Sequence, residues 1–428
     1  MEVFKKIIKE GKSAFHVVKY SRERLQAAGF TELEYGKRLQ VEQGGCYMIS
    51  PFPSMLIAIS VGTWEEKPDL RVAVAHTDSP CLKLKANPEM PGSYYIRGNV
   101  EPYGGMLKTT WFDRPLGIAG KVILRGTDAF HPRTRLIHST QPVCVIPSLA
   151  PHLSRGSDKP EINVQQEMIP IFGLGEETDF LYTYLNREFD ICREEVLDFD
   201  LYLYNPDEPE IVGLQEEFLC APRIDNLASV SALIETMESM KEAEHSTIAV
   251  AAMYDNEEIG SRSKQGADSV LLARLLDRLG EALRIDPDDW RETMAKSFLL
   301  SMDGAQGHHP NYPDKSDPTN QVLLGKGVVI KTSASQRYLS DSEASAVIKE
   351  LCRIGQIPYQ QQVNRSGMPG GQTLGPIAAS YLPVLGADVG IPMLAMHSAR
   401  ELAACEDYRS LCKLCLLYTS PSPRDRSL

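Results

Sequence analysis

Phe4, Ile7 and Ile8, then Phe15 and Val18, recur near the helical period and predict helix over most of the first ~45 residues. Thr31, ahead of Glu32 and Glu34, reads as the start of a further short helix. MLIAISVG (55–62) and LRVAVAHTDSP (70–80) are short apolar runs bounded by Gly and Pro, the pattern of buried strands. Between 92 and 216 the texture changes. SYYIRGNVEPYGG, GIAGKVILRG, TRLIHST and FDLYLY are strand-like runs split by Gly, Pro and Asp turns. Strand–helix alternation then returns. APRIDNLASVSALIETMESM (behind a short loop), SVLLARLLDRLGEALR and SEASAVIKELCRIG read as helices. STIAVAAMYDNEEIGS, KSFLLSMDGA and GIPMLAMHSARE read as strands running into loops. This order predicts an α/β fold, a mostly parallel sheet flanked by helices, with an inserted β-rich domain. The main domain is then discontinuous, 1–91 and 217–428, and the insert covers 92–216. The tail LYTSPSPRDRSL (417–428) is polar, Pro-rich and aperiodic, and is expected to be loose.

Composition narrows the function classes. Of 428 residues, 43% are apolar and 24% charged, which excludes disorder as the dominant state. Lys and Arg number 45 against 57 Asp and Glu, a net charge of −12. An acidic chain lacks the positive field that nucleic acids and anionic membranes require. No run approaches the ~20 apolar residues of a membrane-spanning helix. The opening MEVFKKIIKEGKSAFHVV reads as an amphipathic helix, not a secretion signal. The nine Cys are scattered, and Cys412 and Cys415 (CKLC) lack a second pair. Reduced thiols in a cytoplasmic protein are the expectation.

Acidic and histidine side chains sit at the ends of the apolar runs or in the loops behind them. His76 and Asp78 follow VAVA, Asp225 lies in PRIDN, Glu257 and Glu258 follow IAVAAMYDN, Asp303 follows FLLSM and His397 follows PMLAM. Each has a plain explanation alone. His76 or His397 could be a hydrogen-bonded structural histidine, Asp225 a turn or N-cap residue, Glu257–Glu258 a solvated turn, and Asp303 a turn cap with Gly304. Together they are hard to obtain from turn chemistry, because strand ends of an α/β sheet converge on one crevice. Gathered carboxylates repel and resist desolvation unless a cation sits among them. Two His and four acids exceed one tetrahedral zinc shell and suit two ions sharing a bridging carboxylate. One Glu of the pair is left over to serve as a base.

On these residues the chain resembles the M18 family of metallo-aminopeptidases, the aspartyl aminopeptidase family. The resemblance rests on AHTDSPCLKLKAN (75–87), YGGMLKTTWFDRPLGIAG (103–120), IPSLAPHLSR (146–155), INVQQEMIPIFG (162–173), PRIDNLAS (222–229), YDNEEIGSRSKQGADS (254–269), SMDGAQGHHPNYPDK (301–315), GVVIKTSASQRY (327–338), MPGGQTLGPIAAS (368–380) and AMHSARE (395–401). It implies a di-zinc exopeptidase fold with two Zn²⁺ per subunit, Co²⁺ or Mn²⁺ being substitutes. By motif position Asp225 would bridge the ions, His76 and Asp303 would complete one shell, and Glu258 and His397 the other. Glu257 would be the general base and acid, and Asp78 would orient the His76 imidazole. The implied activity is release of N-terminal residues from peptides, with acidic ones favoured if Lys331 reads the side chain. His309 matches a position near the site, and His152 one that reaches a neighbouring subunit. The implied assembly is a tetrahedral dodecamer of dimers joined through the insert. The sequence departs from the family pattern at Gly367 and at Gly370–Gly371. Fold alone leaves two other readings open, a deacylase or carboxypeptidase on the same sheet, and a non-catalytic assembly protein.

Overall fold

A computed structural model describes residues 1–153, 161–176, 178–368 and 370–419. Among these, the strands form three sheets. The largest is built around four parallel strands, in the order Thr247–Tyr254, Asp69–His76, Phe298–Met302 and Leu385–Gly390. Antiparallel Met55–Val61 extends it on one side and antiparallel Val328–Lys331 on the other. The centre is therefore parallel, as the alternation of strand and helix requires, and the flanks are mixed.

Burial alternates with the two-residue period of a strand. Ala73 and Ala75 pack with Leu25, Leu227, Leu233 and Tyr408, from helices Ala14–Ala27, Ile224–Glu242 and Cys405–Thr419. Val72 and Val74 face the other way, onto Leu275, Leu279 and Trp290 of helices Leu271–Ala282 and Pro287–Ala295. Both faces are covered, and the open positions are the carboxyl ends of the central strands.

The second sheet closes on itself. Cys81–Glu89 pairs with Tyr95–Tyr103 and with Val196–Tyr204, and Val196–Tyr204 also pairs with Pro115–Leu124, giving a small barrel. Leu82, Val100, Trp111, Ile118, Phe199 and Leu201 form its interior. The barrel strands run from Cys81 to Tyr204, against the 92–216 read from the sequence. The difference has a local cause. CLKLKAN (81–87) follows the polar end of one strand without a Gly break, and the Pro-Gly turn signal lies inside the hairpin, at Pro91 and Gly92. Residues Glu210–Val212 and Phe218–Ala221 belong instead to a third sheet with Glu401–Ala404, Pro392–Leu394 and Ala305–Gln306.

Two further expectations fail. Thr31–Leu33 is not a helix start but a parallel strand beside Cys46–Phe52. Sheet pairing overrides the cap signal there. The tail expected to be loose begins packed: Leu417, Tyr418 and Thr419 are buried, and the Tyr418 hydroxyl donates to Phe298 O at 2.6 Å. Residues 420–428 lie outside the described residues. No helix among those described is long and apolar enough to cross a membrane.

Candidate metal centre

The parallel strands deliver their polar ends to one crevice. His76 closes its strand, opposite Tyr254 of the neighbour, and is 1% exposed. Asp303 follows Met302 directly. Glu257 and Glu258 lie on the short turn after Tyr254, and His397 in the loop after Pro392–Leu394. Asp225 stands at the entry of Ile224–Glu242 with non-helical dihedrals, behind Arg223 at φ +58°. His397 itself is held at φ +66°. Non-glycine residues in this region are costly and cluster at functional sites.

The distances have one logic. His76 Nε2 is 3.5 Å from Asp225 Oδ1 and 3.5 Å from Asp303 Oδ1. His397 Nε2 is 3.4 Å from Asp225 Oδ2 and 3.4 Å from Glu258 Oε2. All four exceed ordinary N–H···O spacing. In a tetrahedral shell with ligand atoms ~2.1 Å from the ion, neighbouring ligands stand about 3.4 Å apart. Asp225 Oδ1 and Glu258 Oε1 are buried without a hydrogen-bond partner. Ligand atoms of His76, Asp225 and Glu258 lie within 4.8 Å of one another. Donor type, spacing and orphaned oxygens all fit zinc.

Without a cation, protons must neutralise the cluster. Burial opposes charge on His76, yet Asp225, Asp303 and Asp78 hold its imidazolium well above the ordinary range. Burial likewise opposes charge on His397, but Asp225 and Glu258 lift it to about 10. Burial would raise Asp225; the His397 and His76 rings outweigh it and hold the carboxylate far below its usual range. Burial raises Glu257 to about 8 and, with Asp225 beside it, lifts Glu258 well above the carboxylate range.

The supports come from three directions. The Asp78 carboxylate accepts from Glu257 N at 3.2 Å, Glu258 N at 3.1 Å and Tyr103 Oη at 2.8 Å. For His76 Nδ1 the nearer Asp78 atom is the main-chain O, at 3.1 Å, with Oδ1 at 3.4 Å. Asp78 thus holds the acidic turn as well as the imidazole. The barrel supplies Tyr103, and Gly105 O lies 3.1 Å from His397 Nδ1. Gly104 is held at φ +76°, and a Cβ there would stand 3.0 Å from Glu258 Cβ, so only glycine lets the barrel approach this closely. Buried Glu401 accepts from Asp225 N at 3.0 Å and His397 N at 2.7 Å, tying two ligand loops to one carboxylate. Tyr103, Gly105 and Glu401 fall within stretches singled out above, but a single sequence gives them no partner.

Lys331 is no solvated lysine. It is 1% exposed, donates to Gly304 O at 2.9 Å and lies 3.4 Å from Asp303 Oδ2. Burial disfavours its charge, but Asp303 and Asp388 keep it raised above the usual lysine range. It lines a cavity of about 100 Å³ with Glu257, Asp225, Asp303 and His397. The His309 ring lies 4.9 Å from that of Tyr312, and His309 is not among the residues lining that cavity. His152 is exposed.

The family model for Aminopeptidase I zinc metalloprotease (M18) matches residues 7–418. The probable M18 family aminopeptidase 2 of Clostridium novyi is 40% identical over 403 residues, 92% of this chain and 93% of that protein. Its namesake in Pseudomonas aeruginosa is 38% identical over 415 residues, 95% of each. Among solved structures, yeast aminopeptidase 1 (Ape1) superposes with a TM-score of 0.84 at 27% identity, covering 100% of this chain and 97% of that one. The mApe1 dodecamer of S. cerevisiae gives 0.83 at 26% identity, covering 100% and 96%. The chain belongs to the M18 family of zinc metallo-aminopeptidases.

Proposed function

We propose that this protein binds two zinc ions and removes the N-terminal residue from peptides, with Asp and Glu preferred. The observation that carries the reading is the pair of oxygens on Asp225, one facing His76 and the other His397. Asp225 would hold both ions, His76 and Asp303 one of them, Glu258 and His397 the other. Zinc bound there supplies Lewis acidity toward the scissile carbonyl and the attacking water. The remaining chemistry belongs to the chain. Glu257, fixed through its N–H on Asp78, takes a proton from water as the C–O bond forms. It passes that proton to the departing nitrogen as the C–N bond breaks. Asp78 and Glu401 keep base and ligands in place.

Lys331 supports the acidic preference, because a buried, charged ammonium in the cavity favours a carboxylate over an apolar side chain. A homo-oligomer is supported by the mApe1 dodecamer. In our reading it is a tetrahedral dodecamer of dimers, assembled through the barrel, with exposed His152 serving a neighbouring subunit. A cytoplasmic setting fits nine free cysteines.

The test is a panel of amino-acid anilides assayed on protein whose zinc content is measured in the same sample. Asp- and Glu-anilides are expected to be cleaved fastest, and chelation is expected to stop the reaction. Full zinc occupancy with no cleavage of any free N-terminal residue would sink the assignment. A faster Leu-anilide would remove only the acidic preference.

A further inference from the structure

We infer that the open groove beside Glu257 binds the residue that follows the scissile bond, and that it selects apolar side chains there. The inference rests on the peptidase reading above. Glu257, Gln372 and Thr373 line both the Lys331 cavity and a groove of about 650 Å³. The two spaces thus adjoin across these three residues, one of them the base. If the first residue of a peptide occupies the Lys331 cavity, the departing nitrogen must lie within reach of Glu257 to receive its proton. The chain beyond that nitrogen then leaves on the Glu257 side, where the groove opens.

A second cavity, lined by Asp78, Asp225, His397 and Glu401, is smaller, about 50 Å³, with Trp111 and Tyr204 among its walls.

The groove's lining sets its chemistry. Ile259, 54% exposed beside the acidic turn, faces the same space as Pro376 and Ile377 of helix Leu374–Ala379. Gly260 leaves the space between them clear, with nothing within 4 Å of where a Cβ would stand. Arg262 and Asp268 also line the groove, 3.8 Å apart, and their charges offset each other. Ile259, Pro376 and Ile377 form the apolar side of a lining that also carries Gln372, Thr373 and Ser380.

The experiment compares two tripeptides, X-Leu-Ala and X-Gly-Ala, where X is the residue the anilide panel ranks first. The zinc-loaded protein is expected to cleave the Leu peptide with kcat/KM about tenfold above the Gly peptide, as partial burial of one leucine side chain implies. Ile259→Ser and Ile377→Ser, made separately, are each expected to bring that ratio toward one. Because the ratio is taken within one preparation, it does not depend on how much of a variant folds. A ratio near one in the unaltered protein overturns the inference, and so does an unchanged ratio in both variants. Failure to cleave either peptide, together with a silent anilide panel, strikes the peptidase reading instead.

Discussion

Asp78 carries more of the centre than its expected role beside His76. Its carboxylate receives three donors, two of them main-chain N–H groups of the acidic turn. Asp78→Asn leaves one oxygen where two were needed and turns an NH₂ toward an N–H. Zinc affinity or kcat/KM is expected to fall about 10- to 100-fold, as for other groups that orient metal ligands. Zinc content after dialysis and kcat on the same sample check this. An unchanged value for both would show that the turn holds itself. Residues whose work is done at strand ends are legible in the sequence, because apolar runs announce where they stop. His76, Asp303 and His397 were reachable in that way. Glu401 and Tyr103 were not, since Asp225 lies 176 residues from Glu401 and Asp78 lies 25 from Tyr103, and a lone Glu or Tyr advertises nothing.

The first helices meet the barrel through two histidines. His16, on helix Ala14–Ala27, lies edge-on to His138 of strand Arg133–His138 at 5.2 Å between centroids. Burial drives His16 down to about 3, with His138, Lys12 and Lys19 adding repulsion. The unfolded chain takes up a proton here near pH 6.5 and the folded chain does not. Stability is therefore fully present above about 6.5 and drains as pH falls toward 3. The slope from this one group approaches about 1.4 kcal/mol per pH unit. His16→Gln is expected to flatten the drop in urea midpoint between pH 7 and pH 5; an equally steep drop would assign the acid lability elsewhere. Elements of regular period were readable from sequence, as helices Glu2–Glu10 and Leu271–Ala282 show. Thr31–Leu33 was not, because three residues carry too little pattern to outweigh a cap signal, and only the neighbouring Cys46–Phe52 strand makes them a strand.

Taken whole, the centre without zinc stores protons. His76, His397 and Glu258 are all held protonated near neutrality, and all must give up their protons to become ligands. Zinc binding is expected to release protons, so affinity should rise with pH. Calorimetry at pH 7 in buffers of different ionisation enthalpy would measure the number released; a release of zero contradicts the charge state described. The parallel core was foreseeable from the strand–helix alternation. The closed barrel was not, because Val196–Tyr204 meets Pro115–Leu124 across more than a helix and several turns. Nor was the burial of Tyr418, whose hydroxyl donates to Val72 O and Phe298 O from a stretch that otherwise reads as tail.

The five proposed ligands are dispersed from position 76 to position 397, and the Tyr418 anchor is later still. A growing chain holds only part of this cradle until the His397 loop has emerged. On the reading proposed above, a fragment cut anywhere before that loop is expected to lose its grip on zinc.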